Sequence, residues 1–215
     1  MKSLKQYINE SIKHLHTGKT GIVVFDIDDT LLRSNPDTIK IYKTVPGEKE
    51  IALSTDEYAK DPDATDPEKK KWFSYRDFRN PEKVYKSIIE GTPLIKNLKI
   101  MNAYLNAGYD FSFLTARSCE DVIKSALSDF LKKISKEMGL FQQIDTQFKK
   151  TLSHAINDFN KNYKGYTDAE KKANVLREMC KKYDYVVFVD DDMKNIRSAK
   201  ELGLSNLKVV KAWEN

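Results

Sequence analysis

The sequence predicts an α/β fold, a three-layer Rossmann-like sandwich whose central sheet is parallel. Consecutive apolar, β-branched or aromatic residues recur at GIVVFD (21–26), YDFSFL (109–114) and YVVFVD (185–190). Strands apolar at successive positions suit a sheet covered on both faces. Between these runs lie stripes with helical spacing, and strands alternating with helices of that length imply parallel strands joined by crossovers. Three of the expected strands also end in polar side chains, Asp26, Thr115 and the Asp190–Asp191 pair. Open α/β sheets bind ligands outside those carboxyl ends.

In chain order, Leu4, Tyr7, Ile8, Ile12 and Leu15 predict a helix over 2–17, laid on the domain and ended by Gly18. The core takes 20–32 and 81–215, and its first strand runs into IVVFDIDDTLL, where Asp26, Asp28 and Asp29 crowd together. Residues 33–80 leave the alternation. There TIKIYKTV and KEIALST around PGE read as a β-hairpin flap, followed by AKDPDATDPEKKK as a mobile polar loop. Leu94, Leu98, Met101 and Leu105 form a helix started by Pro93 and stopped by Gly108. A second helix opens at Ser118, with Asp121 three residues on, and runs to Gly139. The pattern over 140–166 is ambiguous, with LSHAIND as one further edge or core strand. A third helix opens at Thr167 with Glu170 in capping-box spacing, and the last begins just after Asp192 and ends near Gly203.

A chain of 215 residues holds one domain with an insertion. Its 37 basic and 32 acidic residues are interleaved, so the charge of +5 is only a weak pointer to an anionic partner. Cys119 and Cys180 stand apart without CxxC spacing, which suits a reducing cytosol and offers no thiolate metal site. No run approaches the roughly 18 apolar residues of a membrane span, and the N-terminus lacks the apolar core of a signal peptide. The expectation is a cytoplasmic protein with no membrane partner. His14, His16 and His154 are scattered, which argues against a zinc site or a His-based triad.

A strand ending in D-x-D sets two carboxylates on one side of a tight turn, where a divalent cation can neutralise them. Hard oxygen ligands in small number select Mg²⁺. YVVFVDDD supplies a second acidic strand end, Thr115 a hydroxyl, and either Lys171 or Lys172 a cation. These are the parts needed to hold and attack a phosphoryl group. Both lysines stand early in the helix capped by Thr167, where the macrodipole disfavours cations by about 0.3–1 kcal/mol. Local rules broken in this way concentrate at functional sites.

The ordered set resembles the haloacid dehalogenase superfamily of phosphohydrolases. VVFDIDDTLL is similar to its first motif, FSFLTAR to the second and FVDDDMKNI to the acidic fourth, while Lys172, 18 residues ahead of Asp190, stands where the third-motif lysine is expected. Together they span residues 22–203. The resemblance implies that Asp26 is the nucleophile and forms an aspartyl-phosphate. It makes Asp28 the general acid and then the base, with Thr115 and Lys172 stabilising the transferring phosphoryl. Mg²⁺ would be bound by the Asp26 carboxylate, the Asp28 backbone carbonyl and the Asp191 carboxylate, with Asp190 supporting the shell. An acid at position 28 argues against a dehalogenase and against the transport ATPases.

One departure is Asn195, where many members carry an acid. Asp192 either caps the last helix or joins the ligands, and the cap is favoured. Asp29 reads as a solvated turn residue and Thr30 as an internal tie of the turn. Arg117 either contacts a phosphate or pairs with a surface acid. The small flap implies an open site that admits large or polymeric substrates, and the layout resembles the phosphatase half of phage polynucleotide kinase-phosphatases and other phage-encoded members. Trp72, Phe73, Tyr75 and Phe78, interleaved with Lys71, Arg76 and Arg79, either stack nucleotides or anchor the flap. The expected activity is Mg²⁺-dependent hydrolysis of a phosphate monoester, on a small molecule or a nucleic-acid end. The alternative is a non-catalytic binding protein on the same scaffold.

Overall fold

The computed structural model describes residues 18–141, 151–158 and 160–213. The helix expected over 2–17 lies outside the described residues, as does part of the ambiguous stretch 140–166. In chain order the elements are β1 (Gly21–Phe25), β2 (Leu32–Arg33), β3 (Ile41–Lys43), β4 (Ile51–Leu53), α1 (Thr55–Lys60), β5 (Phe73–Ser74), α2 (Pro81–Ile89), β6 (Thr92–Pro93) and α3 (Ile95–Asn106). Then follow β7 (Asp110–Thr115), α4 (Glu120–Met138), β8 (Leu152–Ala155), α5 (Asp168–Lys182), β9 (Tyr185–Asp190), α6 (Met193–Glu201) and β10 (Leu207–Lys211).

Five strands form one parallel sheet in the order β10-β9-β1-β7-β8. The expected α/β sandwich with a parallel centre is the observed architecture. Every residue of β1 is buried, and alternate side chains serve opposite layers. Val23 and Phe25 pack with residues of α2, α3 and α4, whereas Ile22 and Val24 pack with Leu176 and Met179 of α5 and Ala199 of α6. Burying a large apolar side chain contributes about 1.5–3 kcal/mol. A central strand sandwiched in this way gains on both faces, which is why its sequence is apolar without alternation.

The chain leaves β1 for β7 and β8 on one side and then returns to β9 on the other. The carboxyl ends of β1 and β9 thus flank a topological switch point, the position of the binding crevice in such sheets. LSHAIND contributes β8, hydrogen-bonded beside β7.

The hairpin around Pro46-Gly47 is present as β3 and β4, and β5 adds a third antiparallel strand that two residues of pattern did not reveal. The stretch expected as a mobile loop is instead folded into α1 and short 3₁₀ turns at Pro62–Thr65 and Lys70–Trp72. Its polar residues satisfy one another: Ser54 and Glu57 form a capping box, and Lys43 reaches Asp61 and Asp63 at 2.8 Å each. Lys69 closes on Asp63 at 2.6 Å. A short antiparallel pair, β2 with β6, joins the foot of the flap to the core.

The helix expected to open at Ser118 is capped differently. Cys119 is the N-cap, in left-handed backbone at φ 65°, and makes no side-chain cap bond. The Glu120 amide donates instead to Asp158 Oδ2 at 2.7 Å, while the Ser118 hydroxyl donates to the Asn157 carbonyl. The orphan amide is satisfied from a distant loop, which no local motif records. Thr167 and Glu170 do form a capping box, and Asp192 does cap α6, accepting from the Lys194 amide at 2.8 Å. Among the described residues no helix is long and apolar enough to cross a membrane.

Candidate active site

Asp26 is the first residue beyond β1, and its amide donates to the Val189 carbonyl at 2.9 Å, continuing the ladder. The chain then turns tightly, with the Leu31 amide donating to Ile27 and the Asp29 amide to Leu32. Asp29 takes the left-handed backbone at φ 52°, a conformation that Asp tolerates better than most residues. It is exposed and lies 3.8 Å from Arg33, as a solvated turn residue should. Thr30 is buried, and its hydroxyl donates to Asp191 Oδ1 at 3.2 Å. It therefore ties the turn to the end of β9, not within itself.

Lys172 faces the acids, and Lys171 does not. The Lys172 ammonium, 2% exposed, sits 2.8 Å from Asp26 Oδ1 and 2.8 Å from Asp190 Oδ2. Lys171 turns the other way and donates to Asn157 Oδ1. Asp190 is fully buried and also accepts from the Asp192 amide at 2.9 Å and from Asn195 Nδ2 at 3.1 Å. This accounts for Asn195. A donor there satisfies Asp190, whereas an acid would set carboxylate against carboxylate.

Ligand oxygens of Asp26, Asp190 and Asp191 lie within 4.8 Å of one another. Burial raises the Asp26 pKa well above the carboxylate range; Lys172 pulls it down, and Asp190 and Asp28 push it up again. Asp191 is pushed up to about 6 by burial and by the charges of Asp190 and Asp29. Burial disfavours the Lys172 ammonium, yet Asp26 and Asp190 outweigh it and its pKa is raised. One lysine thus does not balance the acids around it. The raised Asp26 and Asp191 carboxylates, clustered with Asp190, could hold a metal ion, and their hard oxygens suit a divalent cation. The Asp28 carboxylate lies outside this cluster.

Thr115 ends β7, buried, and its Oγ1 accepts from the Arg117 amide at 3.2 Å. The Arg117 side chain, 3% exposed, grips Asp28 with two parallel bonds, Nε to Oδ2 at 2.8 Å and Nη2 to Oδ1 at 2.7 Å. Its remaining donors meet Ser87 on α2 and Ser34, and Ser34 also donates to Asp28 at 2.7 Å. Burial works against an ionised Asp28, but Arg117 and Ser34 outweigh it and hold its pKa below the ordinary value. Arg117 therefore pairs with an acid of the site, not with a surface acid. Ser34, Ser87 and Asn157 had no signal in the sequence, since each acts through a partner distant in the chain.

No family model matches the chain, and no curated protein matches it.

Beyond Asp28 a cavity of about 650 Å³ opens between the turn and the flap, lined in part by Arg33, Asn35, Ile39, Asp56 and Phe78. Of the other flap aromatics Phe73 is buried, Trp72 is half-buried and Tyr75 is exposed. Phe73 packs edge-on to Tyr58, the Tyr75 and Tyr58 hydroxyls meet at 2.7 Å, and Arg76 pairs with Glu50 while covering the Tyr42 ring. These contacts hold the flap together internally; of the four aromatics Phe78 packs against the main core cluster, and it also lines this cavity. His154 bonds Tyr163 through Nδ1 at 3.1 Å, away from the acids.

Proposed function

We propose that this chain is a Mg²⁺-dependent phosphomonoesterase of the haloacid dehalogenase type, working through an aspartyl-phosphate on Asp26. The observation that carries the reading is the buried Lys172 ammonium bridging Asp26 and Asp190, with Asp191 beside them. A purely structural ion pair is balanced, because burying excess charge costs several kcal/mol per ion. Here the acids exceed the lysine, at the switch point of the sheet.

In the first half-reaction an Asp26 oxygen attacks phosphorus and the ester oxygen leaves, taking a proton from Asp28. In the second, water gives a proton to Asp28 and attacks the phosphoaspartate, releasing inorganic phosphate and restoring Asp26. Lys172 offsets the charge on Asp26 and the transferring group, and the Thr115 hydroxyl donates to a phosphoryl oxygen. Mg²⁺ held by Asp26 and Asp191, with the Asp28 carbonyl, would supply charge neutralisation at the phosphoryl oxygens. Asp28 is ready as a base while Arg117 holds it ionised. To serve as the acid it must be released, and an arriving phosphate dianion competes for the same guanidinium fork.

The cavity beside Asp28 has the size of a small-molecule pocket, which supports a small phosphate ester as substrate, with a nucleic-acid end as the second source. The test is Mg²⁺-dependent phosphate release from an aryl phosphate by the wild type and by Asp26→Asn. Loss of turnover with a melting temperature no lower than the wild type's supports the reading. Undiminished turnover in Asp26→Asn sinks it.

A further inference from the structure

A second concavity, of about 530 Å³, lies on the opposite flank of the sheet from the flap, between α5 and β8. Lys164, Lys171, Arg177 and Lys182 line it, and Glu178 is the one acid among its lining residues. Glu178 is already answered by Lys181 at 2.6 Å. None of the four cations forms an ion pair with an acid among the described residues; Lys171 and Arg177 meet the neutral amides Asn157 and Asn174. The cavity beside Asp28 has the reverse balance, with Asp28, Asp29 and Asp56 against Arg33. An extended anion is therefore drawn to the groove between α5 and β8.

Lys171, Asn174, Glu178 and Lys182 recur at helical spacing on one face of α5. From Lys171 to Lys182 that face runs about 16 Å, longer than a single nucleotide needs. Between the cations the groove offers flat and apolar surface: the half-buried rings of His154, Tyr163 and Tyr183, and Leu152, which is 41% exposed on β8. Tyr163 and His154 are fixed edge to face, and the Tyr163 hydroxyl is held by Glu120, so the rings form a rigid wall. Cations that track a backbone beside rings that accept bases are the elements of a single-strand groove. An acidic peptide would use the cations and leave the rings idle, and a duplex keeps its bases stacked inside, away from the rings.

We infer that the groove between α5 and β8 binds single-stranded nucleic acid, its phosphates on Lys164, Lys171, Arg177 and Lys182 and its bases against the Tyr163, Tyr183 and Leu152 surface. This site is separate from the acids around Asp26. Fluorescence anisotropy of a labelled oligothymidylate with the full chain tests it, read between about 50 and 200 mM salt. With three or four phosphates engaged, log K should fall against log salt with a slope of about −2 to −3. Arg177→Gln with Lys182→Gln should weaken binding about twentyfold at 0.1 M salt and reduce the slope by about 1.4. Lys164→Gln, outside the helix, should weaken it about fivefold. Aryl phosphate turnover and melting temperature should be unchanged in all of these variants. The inference is overturned if the variants bind like the wild type. It is also overturned if duplex DNA, a mononucleotide or oligoglutamate competes as well as the single strand.

Discussion

Replacing Lys172 with methionine removes the cation between Asp26 and Asp190 while keeping most of the side-chain volume. Asp190 keeps donors from Asn195 and the Asp192 amide, so the loss falls mainly on Asp26, whose charge Lys172 neutralises at 2.8 Å. Breaking a buried pair by removing one partner costs about 3–5 kcal/mol, and the surviving donors on Asp190 place this case near about 3. For a chain of this size, about 2–4 °C per kcal/mol gives a fall of about 6–12 °C in melting temperature. The sign of the pH dependence follows from Asp26. Its folded pKa is already raised by burial despite Lys172, and rises further without it. An acid whose folded pKa exceeds its unfolded value binds more protons when folded, so the variant gains stability as pH falls from 8 towards 5. The wild type shares only the smaller part of this gain, because Lys172 holds its Asp26 pKa lower than the variant's, so the gap between the two proteins narrows on acidification. The assay is thermal melting of both proteins without metal at pH 8 and pH 5. A variant that melts within about 1 °C of the wild type at pH 8, or a gap that widens on acidification, would refute the reasoning.

Other consequences follow from the same network. Asp191→Asn should raise the melting temperature of the metal-free protein, since it removes a carboxylate whose pKa is pushed up to about 6, and should weaken Mg²⁺ binding at least tenfold by calorimetry. Asp28→Asn should cost about 1–2 kcal/mol at pH 5.5, allowing for solvent on the Asp28 side. Because the folded Asp28 pKa is lowered, that contribution is present above the ordinary carboxylate value and lost as pH falls through the folded one. Urea midpoints of the two proteins should therefore draw together as pH falls below the ordinary carboxylate value. Asp158→Ala should remove the cap on α4 at a cost of about 1 kcal/mol, seen as a fall of about 2–4 °C in melting temperature.

What the sequence made legible were features whose physics is local or periodic. β1, β7 and β9 announce themselves because burial on both faces demands unbroken apolar runs, and the Thr167 and Asp192 caps because their partners lie within three residues. The acids at the ends of β1 and β9 were placed by the same logic, since strand ends in a parallel sheet converge. Long-range satisfaction was not legible. The Asp158 cap on α4 and the Ser87 and Ser34 contacts of Arg117 depend on where distant segments meet, whereas the choice of Lys172 over Lys171, open on residue chemistry alone, came from the motif resemblance. Lys171 and Lys172 are adjacent and chemically identical, and only the rotation of α5 assigns one to Asp26 and the other to Asn157. The flap loop misled for a related reason. AKDPDATDPEKKK looks like mobile chain by composition, yet its charges neutralise one another once Lys43 of the hairpin is brought against Asp61 and Asp63.

The central claim is that Asp26 accepts a phosphoryl group. Beryllium trifluoride mimics a phosphoryl on a carboxylate, and fluorine NMR of the wild type with Mg²⁺ should give a slowly exchanging bound resonance that is lost on chelation. Asp26→Asn, with a melting temperature no lower than the wild type's, should give none. A bound resonance that persists in Asp26→Asn, or its absence from a wild type that binds Mg²⁺, would contradict the account.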